Sequence, residues 1–281
     1  MSKSFTLCVV FSLLLINKTF AQGCCLSGNS DGFPILAMNT DFKAAHEAPE
    51  PLNYTPAKGS MVSFETVDGT NGNAFYVPSD QPTNNVLLIF HEWWGLNDYI
   101  KREAERWQDM LGNIDVYAVD LYDGKVATDQ PTASKLSSGL DKKRAMNIVN
   151  GAIAVSGKDK RVATLGWCMG GTWSLNAALA AGSRSAATVM YYGFPETDQK
   201  KINALNSDVL YMWASRDKFI TRDVVEKFQN QVQETGHYMT LHTFEADHAF
   251  ANPSNPKHDK NATAQAEKLT LAFLREKLQL E

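Results

Sequence analysis

The chain is poor in cysteine, with 4 in 281 residues. That argues against a disulfide-stapled scaffold, which is short and cysteine-dense. Long apolar runs are also missing. The run from Phe5 to Ile16 spans 12 residues, well short of the ~20 a membrane-spanning helix needs. No one sign of charge dominates: the formal net charge is −4 and the charges are scattered, with no basic stripe to suit a nucleic acid. The histidines show neither HExxH nor any paired ligand spacing, so no metal site is expected. Internal repeats and low-complexity tracts are absent as well, which excludes a solenoid.

What is present is the composition of an ordinary globular protein, 44% hydrophobic and 21% charged. A chain of this length can bury roughly 75% of its surface without a staple. Its beginning reads differently. Lys3, the apolar Phe5 to Ile16 and the small-x-small Thr19-Phe20-Ala21 form the pattern of a secretory signal peptide. Residues 1–21 are therefore expected to be removed near Ala21, with the mature protein exported to the periplasm or beyond. Removal takes Cys8 and leaves Cys24, Cys25 and Cys168, an odd count that flags a free thiol in an oxidising compartment. A lipid anchor at Cys24 is the weaker alternative, because Ala21-Gln22-Gly23 lacks the usual leucine lead-in. Residues 22–58 are rich in Asn, Pro, Glu and Gly, with weak periodicity. They read as an N-terminal arm that either packs on a core or trails from it.

From 59 to 281 strand and helix patterns alternate. Met61 to Val67 and Asn73 to Val77, joined by Asp68-Gly69 and Asn71-Gly72, read as an edge hairpin. Val86 to Phe90 is a continuous apolar run, the mark of a strand buried on both faces. Further strands are expected at Val116 to Val119, Arg161 to Leu165, Ala186 to Tyr192, Val209 to Trp213 and Met239 to Phe244. Helices are expected at Asp98 to Leu111, Lys142 to Ala154, Thr172 to Ala181, Thr221 to Thr235 and Thr263 to Leu278. Repeated βα units predict a single α/β domain: a mostly parallel central sheet with helices on both faces.

The chemistry centres on Gly166-Trp167-Cys168-Met169-Gly170-Gly171. It lies between a short apolar strand and an alanine-rich helix, the layout of a nucleophile elbow. The glycines let strand and helix approach closely around a strained nucleophile. Here that nucleophile is a thiol, more acidic than a hydroxyl. It needs a base, and the base an orienting carboxylate. Asp217 follows the strand Val209 to Trp213, and His248 follows Met239 to Phe244. Both stand where strands run out into loops, the usual place for sites in open α/β sheets. Taken singly, Asp217 reads as a surface or capping carboxylate and His248 as a solvated loop histidine; the ordered set favours a triad. Glu92, in His91-Glu92-Trp93-Trp94-Gly95, follows the buried strand. A carboxylate flanked by two tryptophans is partly desolvated, which raises its pKa and makes it a proton acceptor. The competing reading is a buried ion pair with Arg102 or Arg216.

HEWWG, then Asp120-Leu121-Tyr122, then GWCMGG, then Arg216-Asp217, then Asp247 to Phe250 together resemble the dienelactone hydrolase family over roughly 60–278. The resemblance implies an α/β-hydrolase fold and a Cys–His–Asp triad carried by Cys168, His248 and Asp217. It implies that Glu92 takes the thiol proton when substrate arrives. It also implies hydrolysis of a small ester or lactone through a thioester, with the backbone N–H groups of Met169 and Trp93 as oxyanion donors and no cofactor. A monomer is expected. The aromatic set Trp93, Trp94, Trp167, Tyr122, Tyr192 and Phe250, with Asn252, offers an apolar or sugar-stacking substrate pocket; core packing is the equal alternative for the rings.

Two departures stand out. Family members that grip a substrate carboxylate with arginines have one four residues after the triad histidine, where this chain has Asn252. They have another after the DLY segment, where 123–141 holds only Lys125 and Lys135 as basic residues. A lone lysine is no bidentate fork, so a less charged substrate is expected. Two readings from other classes compete with hydrolysis. One is a peroxide-reactive thiol protein, which requires a resolving cysteine such as Cys24 or Cys25. The other is a binding module that has kept the fold.

Overall fold

The computed structural model describes residues 32–280; the signal segment, Cys24 and Cys25 lie outside them. Two short helices, Gly32–Met38 (α1) and Thr40–Ala45 (α2), precede the sheet region. There follow Ser60–Phe64 (β1), Gly72–Val77 (β2), Asn85–Phe90 (β3), Asp98–Leu111 (α3), Asp115–Asp120 (β4), Gln130–Ser138 (α4), Lys142–Val155 (α5), Arg161–Trp167 (β5) and Met169–Ala181 (α6). The chain continues through Ser185–Tyr191 (β6), Gln199–Ile202 (α7), Val209–Ala214 (β7), Arg222–Gln233 (α8), Met239–Phe244 (β8) and Lys260–Leu278 (α9).

These form a single α/β domain around an eight-stranded sheet of order β1-β2-β4-β3-β5-β6-β7-β8. The first two pairings are antiparallel and the remainder parallel. The strands at the centre read as unbroken apolar runs because both faces are covered. Val86 to Phe90 has no exposed surface at all. Contacts place α5 and α6 together on one face and α3 and α9 together on the other. Among the described residues no helix is long and apolar enough to cross a membrane.

The arm, read from its sequence as weakly periodic, carries two helices that the periodicity did not show. Phe33, Leu36, Ala37 and Phe42 are buried against the domain. Asn39 caps α2, its Oδ1 accepting from the N–H groups of Asp41 and Phe42. Hydrogen bonds hold the arm at both ends. Gln130, at the start of α4, donates to the carbonyls of Lys43 and His46 at 2.8 and 2.5 Å. Glu105 on α3 accepts from the backbone N–H groups of Ala57, Lys58 and Gly59 at 3.1, 2.7 and 2.6 Å, and from the Tyr54 hydroxyl. Charge-assisted bonds of this kind are worth about 1.5–3 kcal/mol each, so Glu105 acts as the arm's anchor.

Candidate active site

The turn from β5 into α6 places the thiol. Cys168 has φ 53° and ψ −118°, a left-handed conformation that costs a non-glycine residue about 1–3 kcal/mol. Glycines permit it. A Cβ on Gly170 would lie 2.1 Å from the Phe90 carbonyl oxygen, and one on Gly166 would lie 2.0 Å from the Gly170 carbonyl oxygen. The helix therefore begins backbone against backbone on β3 and β5. For the same reason α6 starts at Met169, three residues before the position its alanine-rich pattern suggested.

The loops after β7 and β8 bring the other two groups to the thiol. His248 Nε2 lies 3.3 Å from Cys168 Sγ, and His248 Nδ1 lies 2.6 Å from Asp217 Oδ2. Asp217 Oδ1 accepts from the N–H groups of Phe219 and Ile220 at 2.8 and 3.0 Å. That carboxylate is thus an oriented acceptor; it selects the Nδ1–H tautomer and leaves the Nε2 lone pair facing sulfur. Strain is concentrated here: Tyr192 and Ala249, flanking the same site, also have positive φ, 38° and 62°.

Glu92 stands at the end of β3, 6% exposed. Burial raises its pKa to about 8, and the Tyr192 hydroxyl works against that shift. Its Oε2 accepts from Asn252 Nδ2, while Oε1 is buried without a hydrogen-bond partner among the described residues. The ion-pair alternatives are not realised: Arg216 turns to Asp247 and Arg102 toward Glu103. Asn252, at the position of the expected clamp arginine, instead steadies the glutamate. Burial is also the main cause that pushes the Cys168 thiol well above its ordinary value, followed by the charge of Glu92; the Met169 N–H at the sulfur acts in the opposite sense. Cys168 is 1% exposed, a neutral resting thiol.

A cavity of about 480 Å³ opens beside Glu92, with Trp94, Trp167 and Asn252 in its wall. The other aromatics of the expected pocket do not line it. Tyr192 and Phe250 are fully buried, their rings 5.4 Å apart and Tyr192 5.1 Å from His248. They back the histidine. The Tyr122 hydroxyl lies 3.3 Å from the Trp93 carbonyl oxygen and 3.2 Å from Met169 Sδ. It ties together the two residues expected to supply oxyanion donors. Arginine does enter the cavity, from an unexpected element. Arg102 and Arg106 of α3 line it; Arg106 is held by Glu103 and Glu267, whereas Arg102 Nε is buried without a partner among the described residues. These two arginines stand outside both positions of the expected clamp.

Sequence reasoning missed the contribution of the arm. Phe42 packs edge-on against Trp93 and His248, with centroids 5.2 and 5.6 Å apart. His46 lies 5.1 Å from the Trp93 ring and 5.2 Å from the His248 ring. His46 Nδ1 is 2.7 Å from the Phe42 carbonyl oxygen, and Nε2 is buried without a partner among the described residues. Burial, then the neighbouring His248, lowers its pKa to about 3, so the ring is neutral. The residue pair His46-Glu47 carried no signal of its own: the arm's helices are too short to show a period.

Comparison with known proteins gives the family. The model of the dienelactone hydrolase family matches residues 73–278. Protein usf of Aquifex pyrophilus is 26% identical, the match covering 78% of this chain and 99% of that protein. Carboxymethylenebutenolidase 1 of Cupriavidus pinatubonensis is 24% identical, over 74% of this chain and 94% of its own. Among solved structures, a dienelactone hydrolase-like promiscuous phosphotriesterase, P91, from metagenomic libraries superposes with a TM-score of 0.68 at 19% identity, over 79% of this chain and 99% of that one.

Proposed function

The chain belongs to the dienelactone hydrolase family and is a hydrolase acting on lactones or esters; we propose that Cys168 is its nucleophile and that the reaction passes through a thioester. The observation that carries this is the line Asp217–His248–Cys168, 2.6 and 3.3 Å, on a strained elbow with Glu92 beside it. Substrate enters from the cavity and brings a carbonyl over the thiol. Glu92, in its ionised form, takes the thiol proton, and sulfur attacks the carbonyl carbon. Charge develops on the carbonyl oxygen, where the N–H groups of Met169 and Trp93 receive it; loss of one such donor costs ~3 kcal/mol. Collapse expels the alkoxide, which takes the proton from Glu92. His248, oriented by Asp217, then draws a proton from water as it attacks the thioester; collapse breaks the C–S bond, the Cys168 thiolate takes that proton back from His248, and the acid leaves.

The substrate is a small ester or lactone with an apolar flank for Trp94 and Trp167. Hydrolysis of p-nitrophenyl acetate by wild type, Cys168→Ala and Glu92→Gln tests this assignment. Turnover lost in both variants is expected; turnover kept by Cys168→Ala would remove the thiol from the reaction. Export after cleavage near Ala21 belongs to the same reading, supported by the Lys3, Phe5 to Ile16 and Thr19-Phe20-Ala21 pattern. The intact mass of the exported protein checks it, and a mass that includes residues 1–21 would contradict it.

A further inference from the structure

His46, Cys168 and His248 converge from three parts of the chain. His46 Nε2 or Nδ1, Cys168 Sγ and a His248 ring nitrogen offer ligand atoms that all lie within 4.8 Å of one another, and all three residues are buried. The hydrogen bonds select which nitrogens face inward. His248 uses Nδ1 for Asp217, and His46 uses Nδ1 for the Phe42 carbonyl oxygen. Both Nε2 lone pairs are therefore left free for a ligand, and that of His46 has no partner among the described residues.

A histidine whose second nitrogen donates to a carboxylate or a backbone carbonyl is the usual form of a metal-binding histidine. Here both histidines take that form, one with each type of acceptor. In a tetrahedral zinc site, ligand atoms at ~2.0–2.3 Å from the metal stand about 3.3–3.6 Å from each other. The His248–Cys168 edge is already 3.3 Å. The remaining edges need to close by at most about 1.2–1.5 Å, given the 4.8 Å limit and those edge lengths. Imidazole and thiolate together select zinc and its borderline-soft neighbours over magnesium or calcium.

We propose that His46, Cys168 and His248 form a three-ligand site for a thiophilic divalent cation, zinc above all, which locks the arm over the nucleophile and stops hydrolysis. Binding expels the Cys168 thiol proton to solvent and forms a metal–thiolate bond and two metal–imidazole bonds; a water fills the fourth position. The cation then occupies both the sulfur and the His248 lone pair that the hydrolytic cycle requires. It also joins the arm to the core at a point where ring packing and the hydrogen bonds from Gln130 otherwise hold it. Entry requires the arm to lift, so occupancy and arm position are linked. The inhibition rests on the proposed role of Cys168; the binding does not.

Cobalt(II) is the probe, because a cobalt–thiolate bond absorbs in the near ultraviolet and tetrahedral cobalt absorbs strongly in the visible. EDTA-treated mature protein is titrated with Co²⁺, and zinc is then added to displace it. The expected result is one cobalt per chain with both absorptions, no near-ultraviolet band in Cys168→Ser, and affinity at least ~100-fold weaker in His46→Asn and His46→Gln, since loss of even an outer-shell partner can cost that much. Limited proteolysis supplies a second readout. Zinc should slow cleavage between 32 and 58 in wild type and leave the rate unchanged in the His46 variants. Absence of a thiolate band at saturation, or equal affinity in the His46 variants, would overturn the site. A full band without protection of the arm would overturn the lock. A protein that binds cobalt in this way yet hydrolyses no ester would contradict the catalytic assignment and leave the site standing.

Discussion

In the proposed mechanism Glu92 sets the pH dependence of hydrolysis. Burial holds its pKa at about 8, and it accepts a proton only when ionised. The kcat/KM of wild type should therefore rise through about pH 8, and Glu92→Gln should lower it by ~10²–10⁴-fold and flatten the rise. Stability should run the other way. The unfolded chain loses this proton near the ordinary value of about 4.5 and the folded chain near about 8. The stability associated with the neutral carboxyl is thus present below about pH 4.5 and is lost as pH climbs to about 8. Denaturant unfolding at about pH 5 and about pH 9 should show wild type weakening by a few kcal/mol more than Glu92→Gln across that interval. Equal pH dependence in the two proteins would mean that the carboxyl is not desolvated. Arg102 makes a second residue-scale prediction. With Nε unpartnered in the cavity wall, Arg102→Ala should raise KM about tenfold for an ester bearing a distal carboxylate, the loss of one charge-assisted bond. KM for a neutral ester should barely move; equal changes for both would show that Arg102 meets no substrate charge.

The decisive element is the β5–α6 turn. Gly170→Ala would drive a Cβ into the Phe90 carbonyl oxygen at 2.1 Å, backbone against backbone, with no flexible side chain to yield. We expect loss of activity and a melting temperature lowered by several degrees; an active, fully stable variant would refute this account of the elbow. The arm is the other informative element. Phe42→Ala removes a fully buried ring, a change that costs about 3–5 kcal/mol in a well-packed core. Here the loss falls on the arm, so protease cleavage between 32 and 58 should accelerate while the melting of the domain changes little. The two elements differ in how far their sequences announce them. Strands such as Val86 to Phe90 are legible because burial on both faces leaves a pure apolar run. The elbow is legible because its glycines are required by sterics within a few residues. By contrast α4 carries Pro131 and several serines, and α1 and α2 are only 7 and 6 residues long. None of the three completes enough turns for a period to emerge, and tertiary contacts decide their form.

At the scale of the whole molecule, the sheet brings the ends of β3, β5, β7 and β8 to one edge, and their loops deliver Glu92, Cys168, Asp217 and His248. That convergence follows from parallel βα order and could be read from the sequence. The closure of the same centre by the arm could not. It depends on contacts of Phe42 and His46 with Trp93 and His248, distant in sequence, beside the hydrogen bonds from Gln130 to the carbonyls of Lys43 and His46. The pocket was half legible for a related reason: an aromatic residue near a strand end either faces the cavity, as Trp94 and Trp167 do, or backs the histidine, as Tyr192 and Phe250 do, and only the packing distinguishes them. The central claim is that Cys168 carries the acyl group. The most direct measurement is mass spectrometry of protein quenched in acid during turnover of p-nitrophenyl acetate, with His248→Asn beside wild type to slow thioester hydrolysis. The account predicts an acetyl group on the peptide containing Cys168, accumulating in His248→Asn and missing from Cys168→Ala. Continued turnover with Cys168 unmodified in every sample, or acetyl found on another residue that Cys168→Ala retains, would contradict it.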